Sequence, residues 1–337
     1  MTYDFTWRDG ERLIRFSSGA LGEAADLLGE HGFDDYVLLT TDRARGNVPD
    51  LIDRAAMVVD VPPGRVDEIS RALLLEMEVE LDSLAAVGGG RVIDTAKAIA
   101  GAMGGRCAAI PTTLSGAELT PFHRLPAGVE GARMVRPALV LADPELMAGA
   151  PAAGLAASAM NALAHAMESL YTPLANPITD LAALRAAALL AEGVSLDPPG
   201  REALALGAVL AGYASGSAGI AVHHALCQTI VRTAGTPHAE TNAVMLAHSA
   251  ALMASRAPRP MGDFARALGD RGGNPEAAGA LLAPLTARSG HTRLSTLGVS
   301  EDHLSRVAAA VAHHPLLANT PRAPDEPELL ALLRAAF

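Results

Sequence analysis

The sequence predicts an α/β domain built on a parallel sheet over residues 1–150, followed by an all-α domain over residues 151–337. Three observations carry this. Short apolar runs alternate with amphipathic segments through the first half, the pattern of strands buried between helices on both faces of a sheet. One of these runs enters Gly88-Gly89-Gly90 and leaves it as a helix. Beyond about residue 150 the strand pattern stops, and alanine- and leucine-rich stretches of helical length take over.

In chain order, residues 12–16 read as a strand, 21–31 as a helix and 36–41 as a buried strand ending at Asp42. Residues 57–61 are a second short apolar run, 66–81 a helix, and 84–87 the strand that meets the glycines. A helix over 92–103 and strands over 107–110 and 139–142 follow. Asp143-Pro144-Glu145 then suits a helix start: Asp caps, Pro fits the first turn, and Glu faces the positive end of the dipole. In the second half, helices are expected over 154–171, 177–192, 201–220, 221–232 and 239–255, with the series continuing toward the C-terminus. The Pro/Gly/Arg-rich stretches 256–260 and 269–275 read as surface loops.

A chain of 337 residues has room for two domains and a large core. Half of its residues are hydrophobic and only 3% aromatic, which favours helices packed through small side chains. Lys and Arg number 26 against 37 Asp and Glu, a formal charge of −11 with no basic block, so nucleic acid and anionic membrane surfaces are poor partners. The first residues lack the apolar core of a signal peptide, and no uninterrupted apolar run is long enough to span a bilayer; a cytoplasmic protein is expected. Cys107 and Cys227 are too few for a disulfide framework and lack C-x-x-C spacing, and they read as buried small residues.

The strand, turn and helix around Gly88, Gly89 and Gly90, with Arg91 and Asp94 after them, let backbone N–H groups approach a phosphate at a helix N-terminus. Three glycines also suit a tight turn with no ligand. The next strand-to-helix junction adds Thr112 and Thr113 at what would be the same sheet edge, where open α/β sheets bind ligands. The spacing departs from G-x-G-x-x-G, so the expected domain is a Rossmann-like variant of the dinucleotide fold. Asp42 reads either as a partner of a ribose that would repel a 2′-phosphate, favouring NAD(H) over NADP(H), or as a solvated turn residue.

A second constellation lies in the helical half. Asn161 and His165 are four residues apart and share a helix face; His224 and His238 come about sixty residues later with thirteen residues between them. Three imidazoles with a carboxylate would suit a divalent first-row metal, but here the fourth member is an amide. His223 projects about 100° away from His224 around a helix and is expected to support the site. Glu168, one turn after His165, reads as a residue that positions that ring or makes a structural pair. His313 and His314 look like a helix end.

These segments, in this order, resemble the iron-containing alcohol dehydrogenase superfamily, and within it the maleylacetate reductases. The resemblance rests on residues 88–97, 111–121 and 161–168, His223-His224, Pro237-His-Ala-Glu240 and Asn319-Thr-Pro-Arg322. It implies a dehydroquinate synthase-like/iron alcohol dehydrogenase architecture with a catalytic cleft between the domains, and a homodimer. In the metal-dependent branch an Asp and three His at positions matching 161, 165, 224 and 238 hold iron or zinc. The maleylacetate reductases carry Asn at the first position and work without metal, so Asn161 points to that branch, as do Thr120-Pro121 and Asn176-Pro177.

The chain departs from the family pattern at several places. Arg91 replaces a Ser or Thr after the glycines, though a guanidinium still binds phosphate. Gln228 stands where a second histidine is usual, and residues 230–234 replace a glycine-rich segment. An amide orients a substrate but delivers no proton near neutral pH. The closing Asn-Pro-Arg-Pro is here Asn-Thr-Pro-Arg-Ala.

The expected function is therefore an NAD(P)H-dependent reductase that transfers hydride to a small acidic enone or ketone without metal. Imidazoles of near-neutral pKa at His165, His224 and His238 would neutralise the charge developing on oxygen, Asn161 would bind substrate or orient a histidine, and Gln228 would orient substrate. His123 and Arg322 read either as partners of a substrate carboxylate or as solvated surface residues. Two alternatives stand beside this: an iron- or zinc-dependent alcohol dehydrogenase in which Asn161 coordinates through its amide oxygen, and a lyase, dehydratase or isomerase on the same scaffold, motivated by Gln228 and Arg91.

Overall fold

The computed structural model describes residues 2–77 and 83–337. The chain divides into two compact units, Met1–Gly149 and Ala150–Phe337.

The first unit is built on a seven-stranded sheet of order β1-β2-β7-β6-β5-β3-β4. Its strands are β1 (Phe5–Asp9), β2 (Arg12–Phe16), β3 (Val37–Thr40), β4 (Met57–Asp60), β5 (Ser83–Gly88), β6 (Arg106–Pro111) and β7 (Leu139–Ala142). The helices are α1 (Ala24–Glu30), α2 (Asp42–Arg45), α3 (Pro49–Arg54), α4 (Val66–Glu76), α5 (Gly90–Met103) and α6 (Pro144–Met147). Five of the six strand pairings are parallel; β1 and β2 form an antiparallel hairpin at one edge. The hairpin turn uses Gly10 at φ 60°, in the left-handed region that glycine enters without steric cost.

The period-2 alternation of side chains sorts the central strands into two cores. Leu38, Ala85, Val87, Ala108 and Ile110 pack on one face against Ala24 and Leu28 of α1 and Leu51 of α3. Val37, Leu39, Leu84, Ala86, Cys107 and Ala109 pack on the other against Ile69 and Leu73 of α4 and Ile93, Ala96 and Ile99 of α5. Asp143 caps α6 as its position suggests, accepting from the N–H of Glu145 at 3.0 Å.

The second unit is helical: α7 (Ala152–Ser169), α8 (Pro177–Ser195), α9 (Arg201–Ala218), α10 (Val222–Ala234), α11 (His238–Arg256), α12 (Pro258–Ala267), α13 (Ala277–Ala287), α14 (Glu301–Ala312) and α15 (Glu326–Ala336). Helix α7 packs against α8, α9, α11 and α13, and its residues from Leu155 to Ser169 are buried almost without exception. Among the described residues no single helix is long and apolar enough to cross a membrane.

Several sequence expectations need correction. The strand β1 has no counterpart among them: its five residues alternate between half-buried and exposed and include Arg8 and Asp9, so they lack a continuous apolar signal. The expected helix over 66–81 ends at Glu76, and positions 78–81 lie outside the described residues. The stretch 256–260, expected as a loop, closes α11 and opens α12, because Pro258 occupies a first-turn position where its missing N–H costs nothing.

Candidate active site

Each unit carries its own set of candidate residues. In the first, β5 and β6 run side by side with Gly88 opposite Pro111, and the Thr112 N–H donates to the Gly88 carbonyl at 3.0 Å. The two strand-to-helix junctions are thereby brought to one sheet edge. Helix α5 starts at Gly90 with Gly89 at its N-cap and no side chain capping it, so its first N–H groups are available to a ligand. A Cβ on Gly89 would lie 3.1 Å from Cγ2 of Thr113, and one on Gly90 would lie 3.2 Å from Cβ of Ser115. The turn is thus a narrow cradle that side chains would fill, and its donor set fits a pyrophosphate.

Arg91 is exposed at the start of α5. Asp94 is engaged within the protein, where its Oδ1 accepts from the buried Lys97 Nζ at 2.8 Å, and the same ammonium reaches the carbonyls of Ala117 and Phe122. Asp42 is exposed at the head of α2, directly after β3, and β3 neighbours β5. The Thr40 hydroxyl donates to the Val87 carbonyl at 3.1 Å, which ties the Asp42 and Gly89 loops to adjacent strand ends.

His123 does not stand ready for a substrate. Its Nε2 accepts from the Val135 N–H at 3.1 Å and its Nδ1 lies 3.2 Å from the Arg124 carbonyl, so both ring nitrogens staple the segment between β6 and β7.

In the second unit, α7 presents Asn161, His165 and Glu168, and α10 presents His223, His224 and Gln228. The two helices meet because the chain bends by 101° between α9 and α10. Gly219, at φ 93°, allows that bend. Thr172 and Asn319 fix it by donating to the carbonyls of Ala218 and Ile220, at 2.7 and 2.8 Å. The rings of His165 and His224 stack with centroids 4.3 Å apart. Gln228 follows His224 by one turn on the same face of α10 and is half-buried. His238 opens α11 and is exposed, and its charge opposes protonation of both rings.

His165 and His224 are not the near-neutral acids expected from the sequence. Burial, with His238 adding to it, pushes His224 down to about 3. Burial and then His224 hold His165 well below the usual histidine value, and burial pushes His223 down to about 4. The three rings are neutral at pH 7 because their surroundings penalise charge more strongly than spacing along a helix can reveal.

Three buried polar atoms at this place have no partner within the protein: Oδ1 of Asn161, Nδ1 of His165 and Nε2 of His224. A group left so is completed by water or by a ligand. The ligand does not fit an iron or zinc ion well. Among the described residues no three His, Cys, Asp or Glu side chains are placed to hold a metal, and the carboxylate packed against the pair, Glu168, is engaged by N–H groups. Glu168 bonds His224 and not His165, the ring one turn before it on its own helix.

Arg322, the other candidate for a substrate carboxylate, adopts φ 47° and donates to the Ser255 carbonyl at the end of α11. Lys97 and Glu118 are buried ionisable residues to which sequence reasoning gives no role. Both are wholly buried, and their only marker is charge inside otherwise apolar or small-residue segments.

Comparison with known proteins agrees along the whole chain. Residues 155–337 match the family described as Fe-containing alcohol dehydrogenase, C-terminal, and residues 15–151 match Iron-containing alcohol dehydrogenase. Maleylacetate reductase 1 of Rhodococcus opacus is 34% identical over 99% of this chain and 96% of its own. Maleylacetate reductase 2 of Cupriavidus pinatubonensis is 40% identical over 68% of this chain and 65% of its own. The crystal structure of maleylacetate reductase from Agrobacterium tumefaciens superposes with a TM-score of 0.86 at 30% identity, covering 100% of this chain and 99% of that one.

Proposed function

The chain belongs to the Fe-containing alcohol dehydrogenase family, in its maleylacetate reductase branch, and is an oxidoreductase; from that premise we propose that it uses NADH to reduce a small acidic enone or ketone of the maleylacetate type, without a metal. The observation that carries this reading is the neutral cluster on α7 and α10, in which Asn161, His165 and His224 each keep one buried polar atom without a protein partner. Such a cluster suits an uncharged hydrogen-bonding site for a reacting oxygen better than a divalent cation.

The bound nicotinamide supplies the hydride. The protein's part is to hold the substrate and meet the charge that develops on its oxygen. A neutral imidazole does this through an N–H, and His165, whose Nδ1 is not engaged, is the ring able to offer one. The reduction also consumes a proton, which solvent supplies; His224 turns an unpartnered Nε2 to the same cluster, accepts that proton from water and passes it to the reduced substrate, while the amides of Asn161 and Gln228 orient the substrate. The uncapped start of α5 and the cradle walled by Thr113 and Ser115 hold the pyrophosphate, with Arg91 as an added cation. Asp42, exposed at the neighbouring strand end, supports NADH over NADPH because it would repel a 2′-phosphate.

The test is oxidation of NADH, and separately of NADPH, with maleylacetate after exhaustive chelation and again with added iron or zinc. Turnover of NADH in the chelated sample is the expected result. Activity only with metal would move the protein to the metal-dependent dehydrogenases, with Asn161 as a neutral ligand. Binding of NADH without its oxidation in either sample would favour the lyase, dehydratase or isomerase alternative. In the same assay a Gly89→Ala variant is expected to raise the KM for NADH about ten-fold, roughly 1.4 kcal/mol of binding. Its Cβ meets Thr113 at 3.1 Å and occupies the cradle, and its melting temperature is expected to stay near that of the native chain.

A further inference from the structure

Resting on this reading of His224, we propose that Glu168 is a positioning residue whose carboxylate fixes the His224 ring with its proton on Nδ1, leaving Nε2 as the proton-accepting atom of the site. The side chain of Glu168 is wholly buried. Its Oε1 accepts from the backbone N–H groups of His223 at 2.6 Å and His224 at 3.3 Å, and its Oε2 meets Nδ1 of His224 at 2.5 Å. No side chain of α10's own N-cap residue, Ala221, caps that helix. The carboxylate of α7 does so from outside, and the positive end of the α10 dipole compensates its charge.

The number of donors decides the protonation pattern. Burial raises the pKa of the Glu168 carboxyl, but the two backbone N–H groups that donate to Oε1 and the positive end of α10 favour the charged form, and an ionised carboxylate can only accept. The ring must therefore donate from Nδ1. The second nitrogen of a neutral ring then carries a lone pair, and this Nε2 is the buried atom without a partner.

The adjacent histidine is held in the opposite form. Asn242 Nδ2 donates to the His238 carbonyl at 2.7 Å, which assigns the orientation of its amide and turns Oδ1 toward His223. Nε2 of His223 lies 2.9 Å from that Oδ1, and its Nδ1 lies 3.0 Å from the Ser249 hydroxyl. His223 thus carries its proton on Nε2 and His224 on Nδ1. Two neighbouring rings on one helix are set to opposite tautomers by partners on two different helices, α11 and α7.

Glu168→Gln tests this with little change of shape. A glutamine keeps one carbonyl oxygen for the two backbone N–H groups, but its amide N–H₂ would face Nδ1 of His224 and drive the ring proton to Nε2. In full-length protein labelled with 15N-histidine, long-range 1H–15N spectra are expected to show His224 protonated on Nδ1 in the native chain and on Nε2 in the variant, with His223 unchanged as an internal control. With maleylacetate, kcat is expected to fall by on the order of 10²–10⁴ with the KM for NADH within about two-fold.

Three results would overturn the proposal: a native His224 protonated on Nε2, a variant that keeps the native tautomer, or a variant whose tautomer flips with kcat unchanged. The spectra need no substrate, so they decide the tautomer even if the native chain fails to turn over maleylacetate, a result that would count against the proposed function alone. Should the glutamine variant not fold, Glu168→Asp keeps the charge at the α10 terminus and withdraws it from the ring by one methylene. It is then expected to show a mixture of His224 tautomers, and an unmixed native tautomer would overturn the proposal.

Discussion

Replacing His224 by asparagine is expected to lower kcat by on the order of 10²–10⁴, while the thermal midpoint stays close to that of the native chain. Asparagine places an amide N–H₂ near the position of the imidazole Nδ1, so the hydrogen bond to Glu168 at 2.5 Å has a replacement donor. What the substitution deletes is Nε2, the buried atom without a protein partner. Stability and catalysis are thereby separated at one residue. His224→Ala lacks this separation: it removes the donor as well and leaves an oxygen of Glu168 buried and unmatched, which costs roughly 1–3 kcal/mol. Comparing the two variants by steady-state kinetics and thermal melting assigns the rate effect to Nε2. Wild-type kcat in His224→Asn would remove His224 from the chemistry and leave His165 and Asn161 as the acting groups.

The failure of His165 and His224 to be the near-neutral acids expected from the sequence shows where sequence reading stops. Asn161 and His165 are legible because a four-residue spacing on a buried helix puts both on one face, whereas Gln228 is singled out by its departure from the pattern of the family the chain resembles. The stacking of His165 on His224 is not legible, because it depends on the bend at Gly219 and on the hydrogen bonds of Thr172 and Asn319 that fix it. Depth of burial, which drives the three rings neutral, is a property of the packed helices around α7 and α10 and has no local signature. His123 illustrates the converse. Its residue type suggests chemistry, but a backbone N–H twelve residues away claims one ring nitrogen and a neighbouring carbonyl the other.

In the first unit the glycine turn, the Thr112-Thr113 junction and the parallel core strands are legible, because period-2 burial and helix N-terminal chemistry are local. The edge strand β1 is not, since its pairing with β2 supplies what its own sequence lacks. Asp94 resembles part of the cofactor turn, yet three residues later Lys97 is buried at 0% exposure and requires a carboxylate beside it. The identity of that partner follows from the helix spacing once the burial of Lys97 is known. The sequence offers the spacing and withholds the burial.

Glu118→Gln is expected to stabilise the first unit at pH 8 by roughly 3 kcal/mol and to have no effect near pH 4. Glu118 is wholly buried and neither carboxyl oxygen has a protein partner. Its own backbone N–H and then Lys97 lower its pKa only partly, the ammonium being held by Asp94 and by the carbonyls of Ala117 and Phe122. Burial dominates and raises the carboxyl from 4.5 to about 7. The sign follows from proton counting. Below pH 4.5 the group is protonated in both folded and unfolded chains and the glutamine offers no advantage. Between 4.5 and about 7 the folded chain holds a proton that the unfolded chain has released, so stability falls as pH rises. Above about 7 both states are ionised and the full penalty of the buried charge remains. Glutamine carries no charge to bury, so its stability lacks this slope. The single tryptophan, Trp7, lies in β1 and reports unfolding of this unit by its fluorescence, so urea titrations at pH 4, 6 and 8 measure the difference directly. A gap between the two proteins that widens with pH supports a buried, poorly compensated carboxyl. A gap that is constant or reversed would mean that the carboxylate is compensated in the folded chain, and that Glu118 is held there as an anion.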